Sequence, residues 1–199
     1  MIKLISTIQK NVIIPQYEHK LTPLEKKANK FILPETGEDA TCTEARFKKQ
    51  ENESVLVYKF DQVVKDGTGR KIEEPFLFFH AGNARSKSDY LIFYPFIKNN
   101  TSKLYVIICN MKSGKRSNNS DQIEAGEAFA RFIIATANRI ENKDCEIVFL
   151  KVLFWNKRIR KGTSKPKKEA TSYQVGQGGY IEFDCKKQTC DLQLLCKMN

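Results

Sequence analysis

The longest regular hydrophobic pattern lies in the middle of the chain, between residues 120 and 140. Apolar and small residues recur there at steps of three and four, which places them on one face of an α-helix. This stripe consists of Ile123, Gly126, Ala130, Ile133, Ala137 and Ile140. Ser120 stands before it as a capping residue, and Arg139 near its end suits the helix dipole. The pattern predicts a helix from Asp121 to about Ile140.

Apolar runs of strand length stand on both sides of this helix. They cover residues 54–64, 75–80, 89–96, 103–110, 146–155 and 180–185. A turn is predicted at Asp66-Gly67 with Gly69, and the loop Asn99–Ser102 predicts that the strands flanking it are antiparallel neighbours. The nearly continuous apolar run from Glu146 to Trp155 is typical of a strand that is covered on both faces.

Two capping boxes predict further helices near the N-terminus. The first, Thr22–Glu25, also has Pro at the first helical position, and its helix would end before Pro34. Its predicted inward residues are Leu24, Ala28, Phe31 and Ile32. The second box, Thr41–Glu44, would open a helix that runs towards Asn52. The combined order favours an α/β fold with a mixed central sheet flanked by helices.

Length and composition indicate one domain. With 199 residues and 41% hydrophobic content, the chain supports one good core, about 42–155, with a basic loop at 157–168 and a C-terminal strand region at 180–199. No run reaches the roughly 18 apolar residues of a membrane span, and the N-terminus lacks a secretory signal, so a cytoplasmic location is expected.

The six cysteines are expected to be reduced thiols, because Cys109 and Cys145 lie in or beside predicted buried strands. A structural zinc site at Cys185, Cys190 and Cys196 is disfavoured, since the tight paired spacing of such sites is missing.

The charge is strongly positive and unevenly distributed. Thirty-four Lys and Arg stand against 23 Asp and Glu, which gives +11, and seven of the cations fall in an acid-free segment from Lys157 to Lys168. Such a segment favours phosphate backbones, although a solvated loop is the ordinary alternative. No amphipathic anchor supports membrane binding. The predicted nucleic-acid-binding residues are Lys115, Arg116, Lys157, Arg158, Arg160, Lys161, Lys165, Lys167 and Lys168.

The residues present disfavour one class of site and exclude another. Only His19 and His80 exist, so histidine-rich metal sites and His-Cys-Asn arrangements have little material. The segment Ser113-Gly114-Lys115 is not a nucleotide-binding phosphate loop, because the glycine required six positions before the lysine is Cys109 instead.

The remaining constellation is Asp89, which opens one predicted strand, and Asn110-Met111-Lys112, which ends the next. A hairpin would bring them side by side. With the order of the surrounding elements, from Cys42 to Trp155, this arrangement resembles the PD-(D/E)XK nuclease superfamily. The resemblance implies a restriction-endonuclease-like core.

The resemblance also implies hydrolysis of DNA or RNA phosphodiesters with Mg²⁺ or Mn²⁺, in restriction, repair or defence, by a homodimer or beside a partner subunit. Asp89, Asn110 and the Met111 carbonyl would hold the metal, and Lys112 would contact water and phosphate. By the same similarity, Glu44 and Gln122 would complete the catalytic set. The ordinary alternatives are a capping role for Glu44, a turn role for Asp89 and a surface role for Lys112.

Asn110 departs from the family pattern, which has Asp or Glu there. Three explanations remain open: a degenerate binding protein, a carboxylate that has migrated to Glu124 or Glu127, or an engineered substitution of Asp by Asn. The rival function is therefore a non-catalytic nucleic-acid-binding or assembly subunit that retains the fold. A third possibility is a partner-binding module with an incidental basic loop.

Overall fold

The structure is a computed structural model of the 199-residue chain. It describes residues 2–8, 21–23, 29–35, 40–51, 53–60, 68, 88–98, 101–112, 119–142, 145–156, 173, 175–176 and 179–198. Within these ranges the protein has a mixed α/β structure with three helices and two mixed β-sheets.

The helices are α1 (Ile2–Thr7), α2 (Asn119–Glu141) and α3 (Leu192–Cys196). The strands are β1 (Leu21–Pro23), β2 (Lys30–Pro34), β3 (Glu44–Lys48), β4 (Leu56–Lys59), β5 (Tyr90–Lys98), β6 (Thr101–Lys112), β7 (Glu146–Trp155), β8 (Ile181–Asp184) and β9 (Thr189–Asp191). Among the described residues, no helix has the length and apolar character needed to cross a membrane.

The larger sheet contains six strands in the order β1-β4-β5-β6-β7-β8. The pairs from β1 to β6 are antiparallel, whereas β7 and β8 are parallel. In the β5–β6 hairpin, Tyr90 lies opposite Cys109 and Lys98 lies opposite Thr101. α2 connects β6 to its neighbour β7. The smaller sheet has the order β2-β3-β9, with β2 antiparallel and β9 parallel to β3.

The chain divides into two compact units. Unit 1 comprises Met1–Leu24, Ser54–Asn110 and Asn118–Leu150, and unit 2 comprises Glu25–Glu53, Met111–Ser117 and Lys151–Asn199. β7 begins in unit 1 and continues into unit 2. The expectation of a single folding domain stays a prediction.

Unit 1 is built around α2 and the β5–β6 hairpin. Five of the six residues in the predicted stripe are buried, whereas Ile140 is 46% exposed, so its inward assignment was wrong. Phe129 extends the buried side of the helix, and its ring centroid lies 5.3 Å from those of both Tyr58 and Phe60. The predicted stripe is therefore the buried face of α2, apart from its last residue.

Unit 2 has an aromatic core. The Phe47 ring stacks on Phe31 at 5.1 Å and contacts Phe154 at 5.2 Å, and Phe154 stacks on Phe183 at 5.1 Å. All six cysteines of the chain are free thiols, five of them buried and Cys145 half-buried.

Most predicted elements in the described ranges are confirmed. The runs 89–96, 103–110, 146–155 and 180–185 correspond to β5, β6, β7 and β8, and β4 lies within the run 54–64. The hairpin pairing of β5 and β6 is confirmed as antiparallel. α2 already includes Asn119, so Ser120 is its second residue and not its cap. The run 75–80 and most of the predicted turn around residues 66–69 lie outside the described residues.

The helix predicted from the second capping box was wrong, and the helix predicted from the first was wrong at both of its described ends, which lie in β1 and β2. The stretch that was to end the first helix is β2, in which Phe31 and Leu33 are buried while Ile32 is 56% exposed. The second box lies at the start of β3, whose alternation buries Ala45 and Phe47. β2 and β3 pair with each other over five residues. Sheet pairing and burial with a period of two therefore outweigh the local capping signal.

Candidate active site

The start of β5 lies closely against the first turns of α2. Ser88, just before the strand, is fully buried, and its hydroxyl donates to the backbone carbonyl of Gln122 at 2.8 Å. A Cβ at Gly126 would lie 2.1 Å from the Ser88 Oγ and 3.0 Å from the Ile108 Cγ2. Glycine is therefore required at this position for the helix to approach the hairpin this closely.

Asn110 is the central residue of the candidate site. It lies in β6, is fully buried, and donates from Nδ2 to the Gln122 side-chain oxygen at 3.2 Å. Its own Oδ1 has no hydrogen-bond partner among the described residues. A buried acceptor left in this state costs on the order of 1–3 kcal/mol. The amide therefore keeps one open acceptor at the position where the resemblance requires a carboxylate.

Asp89 lies between Ser88 and β5 and is half-buried. Its backbone carbonyl accepts from the Phe60 N–H at 3.1 Å, which ties the start of β5 to the end of β4. Because Tyr90 pairs with Cys109, Asp89 stands one residue beyond the last pair, at the level of Asn110. The hairpin thus brings the backbones of these two predicted site residues to the same end.

The other predicted catalytic residues belong to unit 2. Met111 and Lys112 end β6, where Met111 is buried and Lys112 is half-buried. The sequence predicted a helical position for Glu44, but the structure has Glu44 as the first residue of β3. Its carboxylate accepts from the Arg46 Nε at 2.6 Å. Alternate residues of a strand lie on one face, so this ion pair is a local feature of β3.

The candidates for a migrated carboxylate both lie on α2. Glu124 is exposed. Glu127 binds Arg131 one turn later, with 2.6 Å between its Oε1 and the Arg131 Nη2. An exposed position and an intrahelical ion pair are the ordinary roles of acids on a helix surface.

The predicted nucleic-acid-binding residues lie outside the described residues, both at Lys115 and Arg116 and throughout the segment Lys157–Lys168. Their role stays a prediction.

The oxygen donors at this end of the hairpin fit a divalent cation in part. Within unit 1, Asp89 offers one carboxylate, and the Asn110 Oδ1 is a neutral acceptor without a hydrogen-bond partner among the described residues. Mg²⁺ takes few protein ligands, typically one or two carboxylates, and keeps several waters, so these two donors are of the kinds that such a site uses. In the described part of the chain, no group of three or more His, Cys, Asp or Glu side chains is arranged to hold a metal.

Sequence reasoning missed the roles of Ser88 and Gly126. No role was predicted for Ser88, and Gly126 was included only as a small member of the apolar stripe. A glycine inside a long helix destabilises it by about 1 kcal/mol relative to alanine, and that cost is the available sequence signal for a close contact.

Comparison of the chain with models of protein families, with curated proteins and with solved structures finds no match. The arrangement of residues around Asn110 is therefore the basis for a functional argument.

Proposed function

We propose that the chain is a nucleic-acid-binding domain with a restriction-endonuclease-like core and a metal-dependent phosphodiesterase site that is weakened at Asn110. The observation that supports this most strongly is the buried Asn110 side chain, whose Oδ1 has no partner among the described residues. Asn has nearly the shape of Asp, so a position built for a carboxylate accommodates it. An acceptor left open at a fully buried position calls for an explanation, and a bound ion is one that the resemblance supplies.

The order of elements gives further support. β4, β5 and β6 are consecutive antiparallel neighbours, and α2 then connects β6 to the adjacent β7. This succession is what the resemblance implies for the core, although the helix expected before it is replaced by β3. Asp89 and Asn110 stand at one end of the β5–β6 hairpin.

The residues would act in the following way. Asp89 would bind Mg²⁺ or Mn²⁺ with its carboxylate, beside the Asn110 Oδ1 and the Met111 carbonyl. Gln122 accepts from the Asn110 Nδ2 and so keeps Oδ1 directed away from itself. Lys112 would orient the attacking water and neutralise charge on the phosphate. The cation, when bound, would supply Lewis-acid activation of that phosphate.

Binding of DNA or RNA rests on the net charge of +11 and on the seven cations between Lys157 and Lys168. Each phosphate that a cation neutralises releases condensed counterions, which makes affinity fall with salt. Replacing four of these cations by Ser should flatten the slope of log K against log salt on duplex DNA, by ~0.9 for each phosphate that is no longer neutralised. An unchanged slope would show that the segment does not bind the phosphate backbone.

A second candidate function is a non-catalytic nucleic-acid-binding subunit that retains the fold. The hydrogen bond from Asn110 to Gln122 favours it, because the Asn110 amide already has a suitable partner there, whereas a carboxylate would require the Gln122 amide to turn and donate instead. A neutral amide also gives Mg²⁺ less charge than it prefers. In that case, nucleic-acid binding persists without cleavage.

The Asn110→Asp variant separates the two candidates. It restores a negative charge beside Asp89 with little change in volume, so we expect Mg²⁺ to raise its melting temperature and to support cleavage of single- or double-stranded substrates. Lys112→Ala in that background should abolish cleavage while the thermal shift remains. Differential scanning fluorimetry and a nuclease assay measure the two effects.

Asn138→Asp is the matched control, because Asn138 Oδ1 is the other buried amide oxygen in the described residues without a hydrogen-bond partner. It should produce neither the thermal shift nor cleavage. If Asn110→Asp binds nucleic acid but stays inert with both metals, the non-catalytic subunit is the function. If the unmodified chain binds no nucleic acid, both candidates fail.

A further inference from the structure

The outer face of α2 is the side of the helix turned away from the buried stripe. Seven exposed residues define it: Asp121, Glu124, Ala128, Arg131, Phe132, Ala135 and Arg139. At about 100° per residue they fall within an arc of roughly 100°, on the side opposite Ile123 and Ala130. The face is therefore continuous along most of the helix.

Phe132 is the residue that a merely solvated face does not require. Its side chain is 67% exposed, and Ala128 and Ala135 lie about one turn before and after it. Arg131, beside it, is directed towards β7, where its guanidinium lies 4.1 Å from the centroid of the Phe149 ring. A large apolar side chain thus projects between two small ones on an accessible surface.

Apart from Arg131, which pairs with Glu127 of its own chain, the charges near the two ends of this face are self-complementary. Glu124 and Arg139 lie at equal distances, about 11 Å, on either side of the midpoint between residues 131 and 132. Ala128 and Ala135 are symmetric about the same point, at about 5 Å. A second copy laid antiparallel across that midpoint would meet Glu124 with its Arg139 at both ends. A parallel arrangement would instead oppose like charges.

We propose that the outer face of α2 binds a second copy of this chain in an antiparallel helix pair with two-fold symmetry. Phe132 of each copy inserts between Ala128 and Ala135 of the other, and two Glu124–Arg139 ion pairs close the ends. The contact is isologous, so both copies use the same face. One helix from each copy buries less than the roughly 1,200 Å² of a standard interface, and the dimer is accordingly weak.

The helix dipole also favours an acid early and a base late in α2. That effect acts within one chain and requires neither the symmetric placement of the charges nor an exposed Phe132. The two explanations make different predictions for two variants that each carry one reversed charge. Only the dimer predicts that mixing the two variants restores association, because only then do residues of different copies contact each other.

Sedimentation velocity of the full chain across the micromolar range tests the apolar centre of the pair. We expect concentration-dependent dimerisation, and Phe132→Glu should raise the dissociation constant at least about tenfold. Ile97→Glu, which changes an equally exposed residue (62%) at the end of β5, should leave the constant unchanged. A chain that stays monomeric throughout overturns the proposal.

The ends of the pair are tested by exchanging charges. Glu124→Arg alone places two arginines opposite each other, and Arg139→Glu alone places two glutamates there, so each should dimerise more weakly than the native chain. An equimolar mixture of the two variants should regain association, because each heterodimer contact then joins opposite charges. Dimerisation that neither variant weakens, or that mixing does not restore, overturns the proposal.

Discussion

Each unit holds a small cluster of polar groups beside its core, and the two clusters differ in how fully their hydrogen bonds are made. In unit 2, the Asp191 carboxylate accepts from the backbone N–H groups of Gln193 and Leu194 at 3.0 and 3.1 Å. The Asp191 N–H donates to the Tyr173 hydroxyl at 2.7 Å, and that hydroxyl donates to the Thr189 carbonyl at 3.5 Å. Burial raises the pKa of Tyr173, so its hydroxyl stays protonated and keeps donating.

In unit 1, Ser88 and Gln122 make a similarly direct bond, but Asn110 leaves its Oδ1 without a partner among the described residues. The contrast separates two uses of polar residues near a core. A cluster that supports the fold tends to satisfy every group, because an unsatisfied one subtracts directly from stability. A cluster that leaves a hydrogen-bond acceptor open loses that stability, as ligand-binding sites do.

The largest expected effect is on the packing that holds the unit 1 cluster. Gly126→Val places a branched side chain where a Cβ alone would be 2.1 Å from the Ser88 Oγ. Displacement of α2 and loss of the Ser88–Gln122 bond should lower the free energy of unfolding by about 3 kcal/mol. Urea unfolding measures the change.

The matched glycine is Gly176, where an added Cβ would meet its nearest atoms at an ordinary 3.5 Å. Gly176→Ala should change the free energy of unfolding by less than about 0.5 kcal/mol. If Gly126→Val has the same free energy of unfolding as the native chain, α2 does not lie against Ser88.

The next effect concerns the completed cluster of unit 2. Asp191 is the N-cap of α3, so Asp191→Ala removes two backbone hydrogen bonds at that helix end. We expect a loss of about 1–2 kcal/mol in the free energy of unfolding. Asp191→Asn, which keeps a capping oxygen, should retain most of the stability. Equal losses in the two variants would mean that charge, for instance towards Lys48, and not capping is what Asp191 supplies.

The smallest effect is expected at Asn110 itself. Asn110→Leu removes one bond to the half-buried Gln122 together with the open acceptor, so the free energy of unfolding should change by less than about 1 kcal/mol. Thermal unfolding of the variant and the native chain, with and without nucleic acid, measures this change in stability. A loss of about 3 kcal/mol or more would identify Asn110 as a structural residue and remove the contrast between the clusters.

The regular parts of this fold were predictable because their periodicity extends over many residues. α2 repeats its stripe over five turns, and β7 is a nearly continuous apolar run of ten residues. One or two exceptional residues therefore do not hide either pattern. β2 and β3 are only five residues long; β2 follows one threonine–glutamate pair spaced like a capping box, and β3 begins at the glutamate of another. Glu44-Ala-Arg-Phe-Lys48 does alternate, and that alternation was the better guide. The sequence offered no comparable signal for the pairing of β3 with β9.

For the candidate site, the sequence predicted which backbone positions lie near each other but not which side chains contact each other. The hairpin that aligns Asp89 with Asn110 follows from two adjacent apolar runs and a short loop. The Asn110–Gln122 bond and the closeness of Ser88 depend on how α2 crosses the hairpin, which only tertiary packing fixes. Glu44 was misplaced because its role was tied to a helix that does not form.

The parallel pairing of β3 with β9 has a consequence for the nascent chain. It joins Arg46 to Thr189, whereas the β5–β6 hairpin joins Tyr90 to Cys109. Contacts between residues that are far apart in sequence form late, and a chain emerging from the ribosome pairs its local segments first. The hairpin, α2 and β7 are all synthesised before residue 189, so one edge of β3 has to wait for its partner strand until that residue has been made. Unit 2 therefore completes its smaller sheet only as synthesis nears the end of this sequence.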